Sequence, residues 1–162
     1  MSALSRNAVL ALIGVTLVLH NTEEYLTFPV FLRSFSRLQK WLPKPALLQS
    51  PYNIRLALVM ATVLPLVVIA WAILRPNKGL LIAALLLQSI LLVNAGWHIL
   101  AALVRGGYAP GVVTAVLINL PFGIYVLRRE VQDRWIGART AWQLIGIAFV
   151  LHIVAVGSFL AG

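Results

Sequence analysis

The chain has 162 residues, 61% of them hydrophobic and only 10% charged, with a mean hydropathy of +0.94. In a soluble domain about a quarter of the residues carry charge, so this much apolar side chain has to face hydrocarbon, and a single membrane domain is the natural count. The net charge of +9, from 13 Lys and Arg against 4 Asp and Glu, falls between the apolar runs, where it suits anionic lipid headgroups rather than nucleic acid. The lack of cysteine excludes disulfides, thiolate metal sites and cysteine nucleophiles.

Five apolar runs, each near the ~20 residues that a helix needs to cross a bilayer core, predict an all-α polytopic membrane protein. The expected fold is a compact bundle of five transmembrane helices with one interfacial amphipathic helix. The first span covers about Asn7 to Phe28, between Arg6 and Pro29. His20, Glu23 and Glu24 near its end, and no small-x-small cleavage site, mark it as a retained helix rather than a signal peptide. In the connection that follows, Arg33, Arg37, Lys40 and Lys44 recur at three- and four-residue spacing among Phe31, Phe35, Leu38, Trp41 and Leu42. That pattern predicts an interfacial helix within residues 30–45, stopped by Pro43 and Pro45.

The second span is expected over 54–74, kinked at Pro65, and the third over 79–104. The fourth runs over 111–127, with Pro110 suited to a helix start and Pro121 bending it or shortening its regular part. The fifth covers 141–160. Trp135, in the charged connection from Arg128 to Arg139, is an expected interface anchor. The end of the bundle that holds the N-terminus carries Arg6, Arg75, Lys78, Arg128, Arg129, Arg134 and Arg139; the other carries Arg33, Arg37, Lys40, Lys44, Arg55 and Arg105. Seven against six sets no orientation.

Ionisable residues inside spanning segments are costly and mark function by default. All three histidines, His20, His98 and His152, lie inside apolar runs, and Glu23 and Glu24 follow the first at helical spacing. With five spans the first, third and fifth are parallel. At 1.5 Å rise per residue, His20 stands ~13 Å before Pro29, His98 ~12 Å before Gly106 and His152 ~15 Å before Gly162, so the three can share one depth. Asn94 lies one turn before His98, and Thr114, with Asn119 further along, enters from the same side on the fourth span. Tyr108, Asn53 and Arg55 border the layer, and Trp97 either walls it or faces lipid.

Imidazoles with carboxylates suit Zn²⁺, or iron or manganese in a mixed nitrogen and oxygen shell. The expected metal ligands are His20, Glu24, His98 and His152. Glu23, Asn94 and Thr114 are the expected catalytic residues, Glu23 as acid–base group or fifth ligand and Asn94 orienting a ligand. A metal-free set of the same residues can move protons, and polar residues between membrane helices also serve as plain hydrogen-bonding glue. Dinucleotide, phosphate-loop and serine-elbow motifs are absent, and the order His20-Asn21-Thr22-Glu23-Glu24 is not the HExxH zinc-protease pattern.

That string resembles the HXXEE motif of a family of small bacterial membrane proteins of unknown function. The resemblance extends through Phe28-Pro29, Asn94 with His98, and Tyr108-Ala109-Pro110-Gly111 followed by Thr114. It implies a multi-pass protein of the bacterial cytoplasmic (inner) membrane and brings no established reaction. The reading that results is a membrane-embedded, metal-dependent enzyme whose partners are membrane lipids and a lipid or isoprenoid-like substrate. Its alternatives are a metal-free isomerase or hydrolase, a small proton-coupled transporter, which the missing internal repeat disfavours, and a structural subunit. The oligomeric state, a homodimer included, is left open.

Overall fold

The computed structural model describes residues 4–38 and 51–161, with side chains described over 4–28 and 52–155. All the regular structure among the described residues is helical. The elements are α1 (Arg6–Leu38), α2 (Pro51–Leu74), α3 (Lys78–Arg105), α4 (Val112–Thr114), a π-helical turn (Ala115–Asn119), α5 (Leu120–Gln132) and α6 (Ala138–Ala161). Four stretches are long and apolar enough to cross a membrane: Tyr52–Leu74, Lys78–Arg105, Val112–Gln132 and Ala138–Ala155. Helix α1 is longer, at 33 residues, but the polar string from His20 to Glu24 cuts its apolar run, and it is not among the four.

Two boundaries differ from the expected ones. Helix α1 does not stop at Pro29 but runs on to Leu38. A proline inside a helix removes one backbone bond, a loss that the rest of a long helix can carry. The first part of the expected interfacial segment is therefore a continuation of α1, and the remainder, with Lys40 and Lys44, lies outside the described residues. The fourth span likewise continues past Leu127 to Gln132, carrying Arg128, Arg129 and Glu130 on helix.

Pro121 acts one turn earlier than expected. Its ring excludes the carbonyl four residues back and it donates no N–H, and the backbone answers with the π turn Ala115–Asn119, in which the Leu120 N–H bonds back to the Ala115 carbonyl. A π turn inserts about one residue into the register. The result is one continuous span with Thr114 and Asn119 both turned inward.

Helix α3 is the axis of the bundle and touches every other membrane-length element. Both its ends are closed by local chemistry. The Asn77 side chain caps the start by accepting from the Leu80 N–H at 2.9 Å, and Gly106, at φ 66, ends it by returning N–H groups to the last turn. Around α3 the core joins Val9, Leu10, Ile13 and Leu17 of α1 to Ile69, Leu81, Leu85, Val126 and Leu144. Large apolar side chains on the outside, such as Leu103 at 74% and Leu117 at 69% exposure, form the surface that lipid covers.

At the end of the bundle where the N-terminus lies, Arg129 ties α5 down. It donates to Asp133 from Nε at 2.8 Å, to the Tyr125 hydroxyl at 2.7 Å and to the Leu4 carbonyl at 3.0 Å.

Helices α3 and α5 pack closely at Gly123. A Cβ there would stand 2.8 Å from Leu92 Cδ1, 3.2 Å from Gln88 Nε2 and 3.3 Å from Leu92 Cβ. Gly123→Leu therefore forces the two helices apart and is expected to destabilise by about 1–3 kcal/mol, the usual cost of overpacking. Thermal unfolding in detergent reads this, and an unchanged melting temperature would disprove the close packing.

Candidate functional site

The HxxEE string places His20, Glu23 and Glu24 three and four residues apart, so on a helix they share one face. That face of α1 meets the start of α4, where the chain arrives by a sharp turn. Gly106 and Gly111 both have positive φ, at 66° and 79°, the region where glycine carries no steric penalty. Gly111 is required on a second count: a Cβ there would lie 2.8 Å from His20 Cε1, 3.1 Å from Glu24 Cγ and 3.1 Å from His98 Cε1. Its bare backbone is thus one wall of a cradle formed by the three ionisable side chains.

Glu23 holds this turn in place. Its Oε1 accepts from the Tyr108 hydroxyl at 2.8 Å and the Val113 N–H at 3.2 Å, while Oε2 accepts from the Thr114 N–H at 2.8 Å and the Thr114 hydroxyl at 2.6 Å. The first amides of a helix have no partner within it, and here a carboxylate on another helix supplies one. Burial and the Glu23 carboxylate raise the Tyr108 phenol above its ordinary value, so it remains a donor at neutral pH.

The Thr114 hydroxyl fixes the state of His20. It has one proton and two acceptors, Glu23 Oε2 at 2.6 Å and the Gly111 carbonyl at 3.2 Å, and the shorter bond to the carboxylate takes the proton. His20 Nδ1, 2.8 Å from the same oxygen, must then donate to it. Nε2 of the neutral ring is left with its lone pair, which meets the Asn94 amide nitrogen at 2.8 Å. Glu23, Thr114 and His20 form an ordered relay that turns Nε2 inward.

Opposite Nε2 stand the other two members. Glu24 Oε2 is 4.0 Å from His20 Nε2, and Glu24 Oε1 is 3.2 Å from His98 Nε2. The two imidazoles meet edge to face with centroids 4.9 Å apart. His20 is fully buried, and His98 and Glu24 are each 9% exposed. The 3.2 Å contact lacks hydrogen-bond geometry, and His98 Nε2 is a buried atom with no hydrogen-bond partner. One ligand atom from each of the three residues lies within 4.8 Å of the others. Ligands at ~2.0–2.2 Å from one zinc ion in a tetrahedral shell stand ~3.3–3.6 Å apart, so the three atoms would draw together by roughly 1 Å to form a chelate. A buried His/Glu/His cluster of this kind can coordinate a divalent metal.

Of the residues singled out by sequence, His20, Glu23, Glu24, Asn94, His98 and Thr114 come together. His152 stands apart from the group of three ligand atoms. Its ring packs against Trp97, the chain neighbour of His98, at a centroid distance of 5.8 Å, and its Nε2 is buried without a partner. Arg55 lies over the Tyr25 ring, and Asn119 is buried in the π turn with both amide atoms unpartnered among the described residues. Gly111 stood out in sequence only as part of the Tyr108-Ala109-Pro110-Gly111 block, because nothing local shows that two histidines close on it. Asn21, whose amide donates to Thr62 at 2.8 Å and so joins α1 to α2, carried no distinguishing signal at all.

A family model described as "Protein of unknown function with HXXEE motif" matches residues 11–126. That stretch contains His20, Glu23, Glu24, Asn94, His98, Gly111 and Thr114; His152 lies outside it. No curated protein and no solved structure matches the chain.

Thr114→Val removes the oxygen shared by Glu23 and His20 and is expected to cost about 1.5–3 kcal/mol, as for a hydrogen bond to a charged group, while Thr114→Ser retains most of the stability. Gly111→Ala adds the left-handed backbone penalty of about 1–2 kcal/mol to its overlap with His20. Melting temperatures of the three variants in one detergent check the arrangement, and a Thr114→Val protein as stable as the wild type would refute the relay.

Proposed function

The chain belongs to the HXXEE-motif family, and from the cluster at its centre we propose that it is a membrane-embedded, metal-dependent enzyme acting on a lipid or isoprenoid-like substrate. The metal is a divalent ion, zinc first and iron or manganese next, held by His20, Glu24 and His98. The observation that carries this reading is His98 Nε2, buried, without a hydrogen-bond partner and 3.2 Å from a Glu24 carboxylate oxygen. An orphaned imidazole nitrogen in a membrane interior is costly, and an ion shared with the carboxylate removes that cost. Gly111 supports the same reading, since its missing side chain keeps the cradle open.

In this account α1 is a fifth span whose apolar run is broken for the sake of the site. Glu23 is a positioning residue rather than the acid–base group, because both its oxygens are already engaged. It fixes the His20 ring through Thr114, in the manner of the outer partners that orient metal-bound histidines. Asn94 occupies the His20 lone pair that an ion would take, so with an ion held there its amide would be available to a polar group of the substrate. His152, with its free Nε2 beside Trp97, serves the substrate side rather than the resident ligand set. An ion held by His20, Glu24 and His98 would supply Lewis-acid chemistry, polarising a carbonyl or phosphoryl oxygen or activating water. The surroundings, membrane-length helices with apolar outer faces, support a substrate of this class.

A metal-free acid–base site is the second reading. It is favoured by one fact: both nitrogens of His20 already have partners at 2.8 Å.

The test is metal analysis of protein purified without chelators, with variants in parallel. Wild type is expected to carry about one ion per chain, His98→Ala none, and His152→Ala the full complement. Glu23→Gln should bind about 10–100-fold more weakly, the usual effect of losing an outer partner. Incubation of a membrane lipid extract with wild type and His98→Ala, compared by mass spectrometry, should show a species altered by wild type alone. Wild type free of metal, with lipid turnover that survives chelation, would favour the second reading and sink the first.

A further inference from the structure

A second site lies at the opposite end of the bundle, where α1 and α3 begin and α2 ends. Arg6, Leu10, Ala72, Pro76, Asn77, Lys78 and Leu81 enclose a cavity of about 220 Å³. Its rim is charged and its floor is apolar. Arg6 and Lys78 are exposed, whereas Leu10, Ala72 and Leu81 belong to the buried core.

Among the described residues no carboxylate compensates the two cations. The chain has only four acidic residues. Glu23 and Glu24 belong to the His/Glu site, Asp133 is paired with Arg129 at 2.6 Å, and Glu130 is buried on α5. Among the described residues no carboxylate lines the cavity or pairs with Arg6 or Lys78. The Asn77 side chain is half committed. Its Oδ1 caps α3 at 2.9 Å, while Nδ2 makes only a limiting 3.5 Å contact with the Arg75 carbonyl, so a donor remains for a ligand.

We propose that this cavity binds a phosphate group, presented by an anionic phospholipid or free in solution. An arginine fork and a lysine point charge on one rim are the side chains that recognise phosphoryl oxygens. The Asn77 amide adds a neutral donor. A basic pocket between membrane helices at the headgroup level is the usual setting for such recognition. The apolar floor favours a ligand with carbon attached to its phosphate, because an ion with a full water shell gains nothing from Leu10, Ala72 and Leu81. The site is independent of the His/Glu centre and shares no residue with it.

The test uses delipidated full-length protein in a neutral detergent, with thermal stability read against added phosphatidylglycerol, phosphatidylcholine, glycerol 3-phosphate and inorganic phosphate. Phosphatidylglycerol is expected to raise the melting temperature, with half-effect at a concentration about fivefold higher for each cation removed in Arg6→Gln and Lys78→Gln. The double variant should lose the shift, and Arg139→Gln, an exposed charge outside the cavity, should keep it. An equal shift from glycerol 3-phosphate or inorganic phosphate assigns the soluble source, and a shift from phosphatidylglycerol alone assigns the lipid. No shift from any anion, an equal shift from phosphatidylcholine, or a shift that persists in the double variant would overturn the proposal.

Discussion

The Glu23 carboxylate is the interaction on which the rest of the site depends. A helix that begins at membrane depth exposes amides that lipid cannot satisfy, and each unpaired group costs several kcal/mol there. Glu23 takes two of those amides, Val113 and Thr114, together with two hydroxyls. One side chain thereby fixes where the fourth span starts, how it faces α1, and which way the Thr114 hydroxyl points. The tautomer of His20 follows from that last choice. The second glutamate of the motif, one residue along, is turned about 100° around the helix and so reaches His98 instead. The paired glutamates thus divide the work: one builds the wall and the other joins the imidazoles.

The same economy explains why an exposed-looking loop carries so much. The turn over residues 106–111 contributes a capping glycine, the Tyr108 donor and the bare backbone of Gly111. A side chain at Gly111 would close the cradle, and a missing Tyr108 would leave Glu23 one donor short. Elsewhere the bundle tolerates polar groups with no such settlement. Gln88 Oε1, both amide atoms of Asn119 and Glu130 Oε1 are buried without hydrogen-bond partners among the described residues. Groups of this kind hold ordered water in membrane and soluble interiors alike.

Hydropathy made most of the fold legible, because a bilayer demands long apolar runs and this chain supplies them. It misjudged α1 at Pro29 and the fourth span at Leu127, where one lost backbone bond and a flanking cluster of charges looked like stops but a long helix continues through both. The π turn was invisible, since Pro121 states that the register must give way but not how. Helical spacing and parity brought six of the seven expected site residues together. They could not place His152, because depth along an axis says nothing about rotation around it. Gly111 and the Asn21–Thr62 link were beyond reach for a related reason, as both depend on contacts between helices that no local pattern encodes.

The central claim is that His20, Glu24 and His98 form one metal-binding unit whose geometry Glu23 sets through Thr114. X-ray absorption spectroscopy of the zinc-loaded protein in detergent tests it most directly. The account predicts a shell containing two imidazoles, with nitrogen at about 2.0–2.1 Å, and at least one oxygen at about 2.0–2.2 Å; His98→Ala treated in the same way should retain no such protein-bound zinc. An oxygen-only shell, or a spectrum unchanged by His98→Ala, would contradict it.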